Sequence, residues 1–243
     1  MIPVDSLLYK IDQKLNKLST NDHQQIPLED KILALNEAQL KLIKQKVDGI
    51  SVVSGMGMDS FKKRYEDLQS LIVNYNNQPL KLTEIDKTVN QWSANVHDLV
   101  PEYMFYVDSY ILADKGKCKD RIIWVNRDLL KHGDLQFVLN NNNFKPSFEY
   151  QETCTTLSSD SIGIFTDGTF IPKEIFPMYI RYPKYINKSG YVMLDGTDSI
   201  DQDCELEKYL EDELLDLTVQ NLAMYTENAS AVQSAQFRIQ TNE

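Results

Sequence analysis

The spacing of apolar residues changes twice along this chain. It is three and four up to about residue 75, two from about Leu80, and three and four again from Glu205. Helices bury one stripe at the longer spacing and half-buried strands bury alternate residues, so no single repeating architecture accommodates all three stretches. In the first stretch, Val4, Leu7, Leu8, Ile11, Leu15 and Leu18 share a face and predict a helix over about residues 1–20, ended by Asn21 and Asp22. A second helix starts near Pro27, with Glu29 and Asp30 at the positive end of its dipole. Its stripe is Leu28, Ile32, Leu35, Ala38, Gln39 and Leu42, Lys31, Lys41, Lys44 and Lys46 lie opposite, and Gly49 ends it. Residues 50–58 read as an uncharged loop. Its Gly55 and Gly57 resemble the start of a nucleotide-binding G-x-G-x-x-G, but Ser60 stands where the third glycine belongs. A third helix is predicted from about Ser60 to Tyr75.

The middle of the chain alternates. Residues 82–91 read as one half-buried strand, Tyr103 to Ala113 as a strong strand rich in aromatic and β-branched residues, and Arg121 to Val125 as its partner. Asp128 to Asn140 suits a short helix and Ser147 to Thr155 a strand. Asp167-Gly168 between two strand-like runs predicts a type I′ hairpin over Ile162–Ile171, and Phe176 to Tyr182 gives one more strand. Residues 187–204 are turn-rich, and Glu205 to about Glu227 reads as a long final helix.

Helices, then strands, then a helix predict an α+β protein. The expected form is a helical bundle with an inserted antiparallel β-sandwich or barrel-like domain and a long returning C-terminal helix. The boundaries are a helical region over 1–78, a β-rich domain over 79–198, a helix over 199–228 packing on the helical region, and a flexible tail or intersubunit arm over 229–243.

Chemistry-bearing motifs are sparse. Three widely spaced cysteines (Cys118, Cys154, Cys204) suit a reducing compartment better than a disulfide framework, and with scattered His23, His97 and His132 they offer no zinc spacing. No nucleophile elbow, H-E-x-x-H or P-loop occurs. Glu149 and Glu152 would lie on opposite faces of a strand. No enzyme activity, cofactor or metal is therefore expected. No apolar run approaches a membrane span, and Met1-Ile2-Pro3-Val4-Asp5 lacks the basic and apolar regions of a signal peptide.

Charge is unevenly placed. The 243 residues carry a formal −11, which suits neither general gripping of phosphate backbones nor a disordered acidic tail. Residues 198–216 hold nine acids (Asp198, Asp201, Asp203, Glu205, Glu207, Glu211, Asp212, Glu213, Asp216) against Lys208 alone, a net −8. Helix-dipole complementation accounts for part of this excess. Lys115, Lys117, Lys119 and Arg121 put four bases into one loop, either a solvated hairpin loop or a surface that meets acids on another subunit. The tyrosines cluster at Tyr103, Tyr106 and Tyr110 and at Tyr179, Tyr182, Tyr185 and Tyr191, as packing for a β-domain or as interface anchors.

Four segments carry a family resemblance. Lys145-Pro146-Ser147-Phe148-Glu149-Tyr150-Gln151-Glu152-Thr153, Pro101-Glu102-Tyr103-Met104-Phe105-Tyr106, Ile180-Arg181-Tyr182-Pro183-Lys184-Tyr185-Ile186 and Asp203-Cys204-Glu205-Leu206 to Val219 resemble segments of the head-to-tail connector proteins of crAss-like bacteriophages. They span much of residues 101–225. The helix–β–helix layout is also similar to adaptor proteins of short-tailed phages, in which twelve copies sit under the portal. The resemblance implies a virion structural protein made in the bacterial host cytoplasm. Its partners would be itself in a twelve-copy ring, the portal, and other neck and tail ring proteins, with DNA passing through the channel without specific binding and no membrane contact. Twelve copies would carry roughly −130 in formal charge. On this basis Lys115, Lys117, Lys119, Arg121, Glu205, Glu207, Glu211 and Asp212 are candidate intersubunit or portal contacts. Asp198, Asp201 and Asp203 are candidate lumen-facing acids that would repel DNA. The alternatives are a tail-associated carbohydrate- or receptor-binding β-module with helical attachment, or an enzyme without a recognisable motif.

Overall fold

A computed structural model of the chain describes residues 1–18, 26–48, 66–75, 79–116, 120–127, 130–158, 160–193 and 196–225. The chain divides into two compact units, one of Met1–Leu71 with Pro183–Glu243, the other of Ile72–Tyr182.

In the first unit, α1 (Val4–Leu18) and α2 (Leu28–Asp48) follow their apolar stripes, and Leu7, Ile11, Ile32, Leu35, Ala38 and Leu42 are buried. Both pack against α4 (Glu211–Tyr225), whose buried face includes Leu214, Leu217 and Leu222. This helix starts six residues later than its pattern suggested, because Lys208–Leu210 forms a 3-10 turn ahead of it. Ile2 and Cys204 form a two-way backbone bridge (2.9 and 3.1 Å), tying the opening of the chain to the segment that leads into α4. The fully buried Cys204 thiol is pushed up to about 11 by desolvation.

The second unit is one nine-stranded sheet: β1 (Ile72–Val73), β2 (Leu80–Lys81), β3 (Thr83–Asp86), β4 (Gln91–Asn95), β5 (Tyr103–Asp114), β6 (Arg121–Arg127), β7 (Glu152–Ser158), β8 (Ser161–Phe165) and β9 (Ile171–Arg181). The hydrogen-bonded order is β1-β9-β5-β6-β7-β8-β4-β3, with β2 also on β9. The extended stretch Leu80–Asp86 pairs with β9 at its start and with β4 from Thr83 on, so the path of pairing returns to β9. Alternation on β5 sends Ser109, Ile111 and Ala113 inward, where they meet Ile123, Val125, Ile162, Ile164 and Ile175. One pairing, β6 with β7, is parallel. Parallel neighbours need a crossover, and residues 128–151 supply it, including α3 (His132–Asn140), which rests on Cys154 and Phe165 through Val138.

This corrects the expected architecture. The protein is mixed α+β with one mostly antiparallel sheet and four described helices, not a helical bundle carrying an inserted antiparallel β-sandwich or barrel-like domain with a long returning helix. The parallel pair and its crossover helix break the assumed segregation of helices from strands. The I′ hairpin at Asp167-Gly168 is also absent. Gly168 does take a positive φ of 79°, but β8 leaves it to pair with β7 and β4 while β9 pairs with β5. The hairpin lies instead inside the predicted strand 82–91, between β3 and β4. There Asn90 takes a φ of 50° and Asp86 Oδ1 accepts from the Thr88 N–H at 2.7 Å. Ser147–Gln151 is a turn, closed by Ser147 and Glu152, rather than the start of a strand. The predicted third helix gives way by Ile72 to β1, since Ile72 and Val73 pair with β9; its earlier part, residues 60–65, and the loop 50–58 lie outside the described residues, as does the tail 229–243. No helix among the described residues is long and apolar enough to cross a membrane.

Candidate functional site

Three groups of side chains could make contacts beyond the chain: the acids of 198–216, the bases around 115–121, and an aromatic cluster on the outer sheet face.

Most of the acids have partners within the helical unit. Asp203 Oδ1 accepts from the Val4 N–H at 2.9 Å and so caps α1 from across the chain, a charge-assisted bond at the positive end of a helix. Asp201 accepts from the Ser189 N–H (2.6 Å) and lies 3.4 Å from Lys188, which also binds Asp5. Glu205 receives both the backbone N–H (3.0 Å) and the ammonium (3.3 Å) of Lys184. Glu211, buried in the first turn of α4, binds Ser6 Oγ and Lys10. Lys46 holds Glu213 at 2.7 Å and Asp67 at 3.2 Å, and Lys14 holds the buried Asp216 at 2.6 Å. Lys10 and Lys14 of α1 and Lys46 of α2 thus meet the acids of the C-terminal segment, while Lys31 pairs with Asp12. The side chains of Asp198, Glu207 and Asp212 make no hydrogen bond or ion pair among the described residues, and Asp198 and Asp212 are exposed.

The Asp201 carboxyl is held below the usual aspartate range, chiefly by the Ser189 backbone N–H, then the Ser189 hydroxyl and Lys188. A depressed folded-state pKa contributes stability above the unfolded value and loses it as pH falls through the folded one. Carboxyl NMR titration is expected to place Asp201 below an ordinary aspartate, and Asp201→Asn should flatten the acid limb of the stability profile in that interval.

The basic segment is fastened at its base. Lys115 forms an ion pair with Glu149, whose carboxyl is lowered by that hydrogen bond. Lys115 Nζ sits 5.5 Å and Arg121 Cζ 5.2 Å from the centroid of the buried Phe148 ring, both within cation–π range. On the same segment Asp114 (3.2 Å) and Asp120 (2.8 Å) share Lys173 of β9. Lys117 and Lys119 lie outside the described residues. The structure therefore brings Lys115 and Arg121 together on Phe148-Glu149, and gives these two bases a role within the sheet unit.

On the outer sheet face, Tyr110 of β5 stacks on Phe176 of β9 at 4.8 Å and meets Trp124 of β6 edge-on at 5.3 Å; Tyr75 touches both Tyr110 (5.2 Å) and Trp124 (5.9 Å). The Tyr75 hydroxyl donates to Asp108 at 2.6 Å, fixing its ring. Trp124 is 45% exposed and Ile122, two residues before it on the same face, 49%. Sequence reasoning found Tyr110 but not this cluster, because its members come from four separate segments. The run Ile122-Ile123-Trp124-Val125 is apolar at every position, so nothing in it signals which two face outward; the structure exposes Ile122 and Trp124. Tyr179 instead is buried, its hydroxyl donating to the Pro101 carbonyl at 2.8 Å, with Tyr103 and Tyr106 packed against the same core.

Among the described residues no three His, Cys, Asp or Glu side chains converge as metal ligands. His97 reaches Asp160 (3.2 Å) and His132 the Leu157 carbonyl (3.3 Å), both at the surface. The segments that carry the family resemblance are structural junctions. Pro101–Tyr106 enters β5 and pairs with the end of β9 (Tyr103 with Arg181), Lys145–Thr153 is the turn that receives Lys115 and Arg121, and Asp203–Leu206 caps and bridges α1. No protein-family model matches the chain, and no curated protein matches it.

Proposed function

We propose that the protein is a virion structural subunit of a bacteriophage portal-to-tail connector, built with copies of itself into a ring through which DNA passes. The observation that carries this reading is the pair of exposed residues Trp124 and Ile122 on β6, backed by the half-buried rings of Tyr110 and Phe176 on neighbouring strands and of Tyr75 from the turn after β1. Tyrosine and tryptophan on a rigid surface, with an apolar neighbour, supply contact area at low entropic cost and are the usual anchors of protein interfaces. The resemblance of the four segments to crAss-like phage connectors supplies the class of assembly: twelve copies, contacting the portal and neighbouring neck and tail proteins, after synthesis in the host cytoplasm. Asp198 and Asp212, exposed and without a side-chain hydrogen-bond or ion-pair partner among the described residues, are the acids we assign to act on a neighbour or on passing DNA.

Native mass spectrometry over a concentration series, with proteomics of purified particles, tests this. The wild-type chain is expected in particles and to form a cyclic oligomer, and Trp124→Asp is expected to weaken self-association by about 30-fold or more, the scale of a lost interface anchor, while the far-ultraviolet circular dichroism of the variant stays that of the folded chain. A chain that is absent from particles and monomeric at every concentration overturns the reading.

A further inference from the structure

A second surface has different chemistry. Where α3 ends, the turn over residues 141–144 folds beside it and leaves a shallow crease of about 700 Å³, open to solvent along its length. Its lining is uncharged: Gly133, the amides of Gln136, Asn140, Asn142 and Asn143, and the ring of Phe137. Asn141 builds the crease. Its carbonyl accepts from the Phe144 (3.0 Å) and Lys145 (2.9 Å) N–H groups, its Oδ1 accepts from the Asn143 N–H (3.0 Å), and its own N–H donates to the Val138 carbonyl (3.4 Å). Gln136, Asn140, Asn142 and Asn143 are all exposed and line the crease, so four carboxamides, each a donor and an acceptor, are available there. Phe137 is 62% exposed, and its ring centroid lies 6.1 Å from that of Phe144. The scaffold beneath is fixed: Leu130 N–H bonds to the Thr155 carbonyl (2.9 Å), and Leu130, Leu135 and Leu139 pack with Val138 on Cys154 and Phe165.

We infer that this crease binds a neutral saccharide. Sugar hydroxyls both donate and accept, and the carboxamide is a side chain that offers both at one end. The C–H face of a pyranose is apolar and fits an exposed aromatic ring, while the absence of any charged lining residue leaves nothing to neutralise a phosphate or carboxylate. The preformed turn removes the backbone part of the ordering cost that an exposed asparagine run carries on binding. This site stands independently of ring assembly: it uses none of the residues of the aromatic sheet face.

Saturation-transfer NMR with the full chain tests it, using the methyl glycosides of glucose, galactose, mannose and N-acetylglucosamine, with glucose 6-phosphate as the charged comparison. Transfer to at least one neutral glycoside is expected at millimolar concentration, exceeding that to the phosphate. It should fall about tenfold in Phe137→Ala and in Asn140→Ala/Asn142→Ala, all exposed positions, and persist in Trp124→Asp. No transfer to any neutral glycoside, stronger transfer to glucose 6-phosphate, or undiminished transfer in both crease variants overturns the inference.

Discussion

Lys46→Met is expected to destabilise the protein by about 3–5 kcal/mol in guanidinium melts, the usual cost of removing one partner from a buried ionic group. Lys46 is the cation between Asp67, whose side chain is almost wholly buried, and Glu213 in the first turn of α4. Without it two carboxylates face each other with little water. The Tyr209 hydroxyl, whose pKa is raised by desolvation and then by Asp67 beside it, does not supply the missing charge. Because the loss comes from stranded acids rather than from a missing attraction, Lys46→Met/Asp67→Leu should recover most of it. A double variant as unstable as the single one would show that packing of the lysine stem, not charge, is what matters.

Ile111→Ala is expected to cost about 2–5 kcal/mol, the range for deleting a fully buried aliphatic side chain and leaving a cavity. Ile111 sits opposite Ile123 of β6 and Ile175 of β9, in the middle of the sheet core. Leu112→Ala, one residue on and facing the other side, should cost well under half as much. Equal losses at the two positions, measured by urea unfolding, would contradict the register of β5.

The period of the apolar residues was enough to locate α1, α2, β5 and the extent of α4 within a turn or two, since in each of them burial on one face decides the structure. It was not enough where pairing partners lie far apart in the chain. Ile162–Ile171 has the local chemistry of a hairpin, yet Phe165 pairs with Gln91 and Cys154 and Ile171 with Asp114. Nothing within ten residues of Gly168 encodes that choice. The crossover through α3 was missed for the same reason: a parallel pair is specified by which strands share the core, and the intervening helix has only a weak stripe of its own. The acids were read correctly as a local excess, but their lysine partners on α1 and α2 lie up to about two hundred residues away. Lys115 and Arg121 were legible as members of a four-base loop; that both would sit over the Phe148 ring was not.

The closing of each unit has a consequence for biosynthesis. β9 is the last strand made, and it pairs with β1, β2 and β5; in the other unit Ile2 waits for Cys204 and Val4 for Asp203. Neither unit can reach its native pairing while its later half is still on the ribosome, and the entropy of closing such long loops is met only at the end. During synthesis β5 can pair with β6 as soon as residues 121–127 emerge, but its other edge stays open until β9 is made. The nascent chain therefore passes through a long interval with one edge of β5 unpaired, so co-translational chaperone occupancy should peak between emergence of β6 and emergence of β9.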